Sequence, residues 1–484
     1  MSLFAAGNAF AAGITIGNGA SVTLSGAPTI TTLDLTNSGT LSPDAGTINV
    51  SGDWTNSGTF TSGTGTVTLN GTGTQNLNSG GITDDKDFYN LAFSGSGTVV
   101  PVTNDIKISN NLTLSNTATL SNTNNKNFNI AGNVQVVSGN TWTKGTGTIT
   151  LFGTTGTQTI NFAGKTVEDI VIDASGATKQ FTGSVTTDSF NATNGTIDFN
   201  GKSITTTGNF TMGTGSQVIA DADAMDGVTI NVGGDCDLDG QNGDPLIFKW
   251  TGSGNDAWTL AVTSNIDMDY VTFTPASTKT MALHVSGSTA TASNVVVDYS
   301  DADNGFATID ATDGTNTNGG HNTNWLFKIL SVTLRNAGDT ADYTTWALGS
   351  GKDLDTVYIM NNTEYVLVKN NGSPVAEDFS ISAAGTNWTL SDATGLNTCV
   401  LMGLFNGNSA PVAGNFSTTN DLINGTTVWA TYQVDGSGKY QGTNDGDNVS
   451  ASTGEKLYIY LKTPSLLTQG SEESITVTVG CREH

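Results

Sequence analysis

The sequence predicts an all-β protein, a solenoid of short parallel strands followed by an antiparallel β-sandwich. Three observations predict it. First, Gly63-Thr64-Gly65-Thr66-Val67-Thr68-Leu69 returns 82 residues later as Gly145-Thr146-Gly147-Thr148-Ile149-Thr150-Leu151. Second, triplets with two apolar residues around a polar one recur from about residue 14 to 330 with no credible helix between them. Third, the composition changes near Phe327, where longer strand-like runs begin. Repeats of this length point to stacked units, because each unit must bury its apolar face on the next.

The first thirteen residues, Met1 to Gly13, contain an Ala-Phe-Ala stretch without a basic start. They are expected to be a signal-peptide remnant or an assembly strand. From residue 14 to 326 the apolar pairs of Ile14-Thr15-Ile16, Leu112-Thr113-Leu114 and Val134-Gln135-Val136 each fall on one strand face. Strands of three to five residues are short for a conventional sandwich. They suit a parallel β-helix, in which each pairs with its equivalent one coil above and below. With roughly twenty or more residues per coil, the 82-residue echo is expected to span about four coils. Asn at the turns fits coil corners, since Asn tolerates the left-handed backbone, and stacked Asn or Thr would satisfy one another's hydrogen bonds. From residue 327 to 484, runs such as Glu364 to Val368 and Leu457 to Leu461 read as strands of an Ig-like sandwich.

Composition narrows the function. Forty-three acidic residues against 17 basic give a net charge of −26, which repels phosphate backbones and excludes nucleic acid as a partner. No apolar run approaches the roughly 18 residues of a membrane span, so no direct membrane insertion is expected. Although 60 glycines suggest disorder, 36% of residues are hydrophobic and alternate regularly, which argues for a core. Cys236, Cys399 and Cys481 form no metal pattern, and a bridge between Cys399 and Cys481 stays open.

Candidate chemistry is sparse. Asp235-Cys236-Asp237-Leu238-Asp239-Gly240 places carboxylates at alternate positions before a glycine, like the first half of a Ca2+ loop, with Asp244 as the late carboxylate. The twelfth position is Leu246 and not Glu, and a solvated acidic turn is the alternative. Asp301 and Asp303, before Asn304-Gly305, form a shorter version. His284, His321 and His484 sit in no nucleophile motif, and no Arg precedes Arg335 to act as a lyase base. The chain is therefore expected to be non-enzymatic. Trp54, Trp142 and Trp250 offer sugar-stacking rings, with core packing as the alternative.

The stretch Gly319-Gly320-His321-Asn322-Thr323-Asn324-Trp325 resembles one that often closes β-helix regions in bacterial surface proteins. Together with the repeats, the chain resembles the right-handed parallel β-helix of bacterial adhesins and other exported cell-surface proteins. That resemblance implies an extracellular or cell-surface adhesin, surface-layer or filament subunit, with the helix as a stiff spacer and the sandwich as a docking module. Self-association would run through strand edges, and the alternating terminal strand bearing Ile475, Val477 and Val479 is the candidate. Cell-surface glycans are a further expected partner, and a carbohydrate-binding or polysaccharide-degrading surface protein is the alternative reading.

Overall fold

The computed structural model describes residues 8–9, 13–213, 216–220, 229–250, 258–274, 281–285, 290–297, 300–302, 309–312, 316–319, 322, 325–407, 409–468 and 473–484. Among these the only helical element is a 3-10 turn at Ala413–Asn415. The chain divides into two compact units, residues 1–325 and 326–484.

The first unit is a parallel β-solenoid. Each early coil runs through three strands, as in Leu35–Asn37, Thr40–Ser42 and Thr47–Val50, and every strand pairs in register with its counterpart one coil on. Four register steps carry Val67 through Leu91, Leu112 and Val134 to Ile160, about 23 residues per coil. The alternation fixes which side faces in. Leu112 and Leu114, then Val134 and Val136, are fully buried, while Thr113 and Gln135 between them point out. In-register pairing stacks these apolar residues into continuous interior columns. Rings do the same: Trp54, Phe60 and Phe88 have centroids 5.1–5.7 Å apart, and Phe128, Trp142 and Phe162 form a second chain of contacts at 6.0 and 5.7 Å. Trp54 and Trp142 are thus core residues; the side chain of Trp250 lies outside the described set.

The 82-residue echo does not equal a whole number of coils. Thr74–Asn78 belongs to the face that also holds Trp54–Asn56, whereas its copy Thr157–Asn161 continues the face of Val134–Val136. The copy therefore lies one face short of four full coils. All three faces demand the same alternation, so one strand motif fits any of them.

Several polar residues enter the interior with partners, while the Trp54 Nε1 of the core has none. Asn37 donates to Asn56 Oδ1 at 2.9 Å, and Asn56 donates to the Ser79 carbonyl at 3.0 Å. Glu168 is fully buried and accepts from Asn122 Nδ2, Trp142 Nε1 and the Gly145 backbone N–H at 2.6, 2.8 and 3.0 Å. Asn116, Asn125 and Asn200 take positive φ, the left-handed conformation in which Asn is tolerated.

Lys179 also points inward and is fully buried. It donates to the Gly153 carbonyl at 3.1 Å and to Gln158 Oε1 at 2.5 Å, both neutral. Burial pulls its pKa down from 10.5 to about 8.

In the second unit, Val332–Arg335, Val366–Asn370, Gly454–Lys462 and Thr398–Phe405 pair antiparallel in that order. Val357–Ile359 also pairs antiparallel with Gly454–Lys462, and the short Thr389–Leu390 lies parallel beside Thr398–Phe405. A second sheet orders Val428–Trp429, Glu377–Gly385 and Ile475–Glu483, also antiparallel. Both sheets feed one apolar core, which includes Val368, Leu401 and Tyr458 from the first and Phe379 and Ile381 from the second. No bridge joins Cys399 to Cys481: all three thiols are free, Cys399 on the first sheet and Cys481 on the second.

Lys179 sets a pH test. Between pH 8 and 10.5 the unfolded chain keeps a proton that the folded chain has shed, so stability rises with pH across that window. Below pH 8 the full cost of burying the charge applies. In Lys179→Met that rise is expected to vanish from melting temperatures measured across the window; an unchanged slope would mean the amine is solvated.

Candidate functional site

A cluster of titratable groups in the solenoid lies on two adjacent coils. Strand Cys236–Asp239 buries Cys236 and Leu238 and turns Asp237 and Asp239 outward. Ile266–Asp269 repeats the pattern, burying Ile266 and Met268. Register pairs Asp237 with Asp267 and Asp239 with Asp269. Register therefore sets four carboxylates in a two-by-two array across the two coils, and within the first strand Asp237 and Asp239 hydrogen-bond to each other. Thr291 from the following coil donates to Asp267 at 2.6 Å, and Asn294 donates to Asp269 at 3.1 Å. Partial burial, and then the neighbouring carboxylates, raise the pKa of both Asp237 and Asp239.

Asp235 sits at the coil corner, where its Oδ1 accepts from Ser264 Oγ at 2.6 Å and from the Asn265 backbone and side chain, each at 3.2 Å. Those bonds, Ser264 foremost, lower its pKa. Asp244 is exposed and closes a tight turn, exchanging backbone hydrogen bonds with Gln241 at 2.9 and 3.0 Å. Asp237 and Asp239 lie on extended backbone between them, and their two carboxyl groups hydrogen-bond to each other. No three of Asp235, Asp237, Asp239 and Asp244 bring ligand atoms within 4.8 Å of one another. Register also sets Asp267 beside Asp237 and Asp269 beside Asp239 on the next coil.

Asp267 and Asp269 escaped the sequence reading, although the signal is present: Ile266-Asp267-Met268-Asp269 repeats Cys236-Asp237-Leu238-Asp239 thirty residues on. Of the second candidate pair, Asp301 lies on strand Ser300–Ala302 opposite Ala282, and Asp303 lies outside the described residues. His284 lies on strand Met281–Val285, and His321 falls outside the described residues.

The terminal strand Ile475–Glu483 pairs along its whole length with Glu377–Gly385. Ile475, Val477 and Val479 turn toward the core while Thr476 and Thr478 face solvent. It ends its three-stranded sheet, and its other edge carries no strand partner among the described residues. The free edge therefore offers backbone and threonines; the three apolar side chains are already committed. At the start of the solenoid, Asn8–Ala9 pairs in parallel with Ile30 and Thr31. An apolar cavity of about 410 Å³ opens beside this coil, lined by Ile14, Ile16, Val22, Ile30, Leu35 and Leu41 among others.

Comparison with protein-family models, with curated proteins and with solved structures gives no match.

The carboxylate array makes a test of its own. A raised acid pKa means that stability falls as pH climbs through the ordinary carboxylate range to the raised value. Asp239→Asn is expected to melt higher than the parent at pH 7, with the difference gone in acid below the ordinary carboxylate range. Millimolar Ca2+ is expected to raise the parent's melting temperature more than the variant's. A variant that melts lower at pH 7 would show that the array is not strained by its own charge.

Proposed function

We propose that this chain is a non-enzymatic structural protein of the cell exterior, a spacer that self-associates through strand edges. The observation that carries the reading is the continuous in-register stack of the first unit. Its interior is filled by columns of Ile, Leu, Val and Phe, and buried polar groups such as Asn37, Asn122 and Glu168 pair with other side chains inside it. Such a stack is stiff because each coil contacts only its neighbours and shares a ladder with both. In this reading the solenoid is right-handed, the sense that nearly all parallel crossovers take, and the second unit is an Ig-like sandwich that docks. The free edge of Ile475–Glu483 supplies the assembly route: exposed strand backbone pairs with another chain unless it is blocked. The surface charge of −26 keeps such a protein soluble until a specific edge contact forms.

A second reading rests on the carboxylate array. Asp237, Asp239, Asp267 and Asp269 would hold Ca2+ between coils and, through it, the hydroxyls of a cell-surface glycan.

Sedimentation and negative-stain imaging of the purified chain decide between them. The first reading expects concentration-dependent oligomers or filaments, weakened about tenfold or more by Thr478→Lys, which puts a charge on the free edge without touching the core. A monomer at every concentration that binds a glycan array in the presence of Ca2+ would overturn it in favour of the second.

A further inference from the structure

Three chain segments distant in sequence bring metal-ligating atoms together at one end of the second unit. Asp378 lies on strand Glu377–Gly385, opposite Arg482 in the antiparallel register, and His484 follows the last residue of the paired strand. The His484 backbone N–H donates to the Ala376 carbonyl at 3.1 Å, which fixes where its ring can reach. Asp447 comes from the connection between Tyr440 and Gly454. One ligand atom from each of Asp378, Asp447 and His484 lies within 4.8 Å of the others.

We propose that Asp378, Asp447 and His484 bind a divalent transition-metal ion of the zinc class. His484 Nδ1 lies 2.7 Å from Asp378 Oδ1 and 3.0 Å from Asp447 Oδ1. A single ring nitrogen carries at most one proton, so it cannot make two full hydrogen bonds to two carboxylates. A cation placed among the three atoms satisfies all of them at once. Tetrahedral Zn2+ with bonds of about 2.0–2.1 Å needs its ligand atoms about 3.4 Å apart, which asks the two His484 contacts to open by about 0.7 and 0.4 Å.

The remaining contacts orient these ligands from outside. Asp378 Oδ2 accepts from Arg482 Nε at 3.0 Å, and the guanidinium in turn lies over the Trp429 ring, 4.4 Å from its centroid. Asp378 Oδ1 also accepts from the Asn448 backbone N–H at 3.1 Å. Asp447 Oδ2 accepts from the Tyr432 backbone N–H at 2.8 Å, leaving Oδ1 turned toward His484. Supporting bonds of this kind set ligand direction in metal sites. Asp378 is buried and His484 is exposed, so an ion could reach the site from the His484 side and keep a water as fourth ligand. An imidazole beside two carboxylates favours zinc-like ions over Ca2+ or Mg2+, which take oxygen ligands. The bound ion would pin the end of the edge strand to its neighbour, a role independent of whether that edge assembles.

Titration calorimetry of the full chain with Zn2+ tests this. One saturable site per chain is expected, with Ca2+ unable to displace the ion, and Zn2+ should raise the melting temperature because only the folded state assembles the three ligands. Asp447→Asn and His484→Gln should each weaken binding about tenfold or more. Circular dichroism of the metal-free variants checks their fold. Should either variant melt, Co2+ absorption of the parent replaces it, with nitrogen and oxygen ligation expected. No saturable uptake, uptake that survives His484→Gln, or a cobalt–thiolate band placing the ion on Cys481 would each overturn the proposal.

Discussion

Everything in the solenoid depends on how closely successive coils approach. Parallel strands stack about 4.8 Å apart, and the chain must turn three corners per coil without breaking that spacing. At several corners there is no room for a side chain. A Cβ on Gly95 would stand 1.9 Å from the Gly71 carbonyl oxygen, and one on Gly97 would stand 2.0 Å from that of Gly73. Gly58 meets Gly39 in the same way at 2.1 Å. Glycine therefore recurs at these corners, in several places seated on a glycine a coil below. The Gly-Thr-Gly echo follows from this: the glycines admit the close approach, and the threonines are β-branched residues suited to the strands between. Gly145 and Gly147 obey the same constraint against the Asn122 and Lys126 carbonyls, at 2.2 and 2.4 Å.

The same spacing explains the polar interior. A side chain turned inward at one coil sits directly below its counterpart on the next, so a buried polar group is best satisfied by the neighbouring coil. Asn56 receives from Asn37 and passes its own donor on to Ser79. Gln75 uses its amide to tie the Val50 and Gly52 carbonyls of the preceding coil, at 2.9 and 2.6 Å. Outward-facing residues stack by the same rule, and where they are charged the rule becomes costly. The columns that hold Leu238 over Met212 inside also hold Asp237 against Asp267 outside. Like charges at coil spacing repel unless a proton or a cation intervenes, and burial with these neighbours raises the pKa of Asp237 and Asp239.

Much of the solenoid was legible because its signal is local. In-and-out alternation in triplets such as Leu112-Thr113-Leu114 fixes strand position, and corner Asn fixes the turns. What pairs across coils was not legible in the same way. Spacing along one strand suggested Asp235, Asp237, Asp239 and Asp244, of which Asp237 and Asp239 do meet, but only register across coils adds Asp267 and Asp269 beside them. In the second unit two long strands escaped notice, Glu377–Gly385 and Thr398–Phe405. Their burial runs nearly unbroken on both faces, so neither shows the period of two that marks a half-exposed strand. The cluster of Asp378, Asp447 and His484 could not be read at all, since its members stand 106 and 37 residues apart and no motif links them.

The most direct test of coil stacking is a distance ladder on outward-facing positions. Ala92, Thr113 and Gln135 occupy one register column on three successive coils. Cysteines introduced in pairs there and labelled with pyrene report proximity by excimer emission in the intact, dilute protein. Stacking predicts strong excimer from the 92/113 and 113/135 pairs, weaker emission from 92/135 at two coil spacings, and loss of all three on unfolding. Monomer emission from both adjacent pairs in the folded protein would contradict a parallel in-register stack.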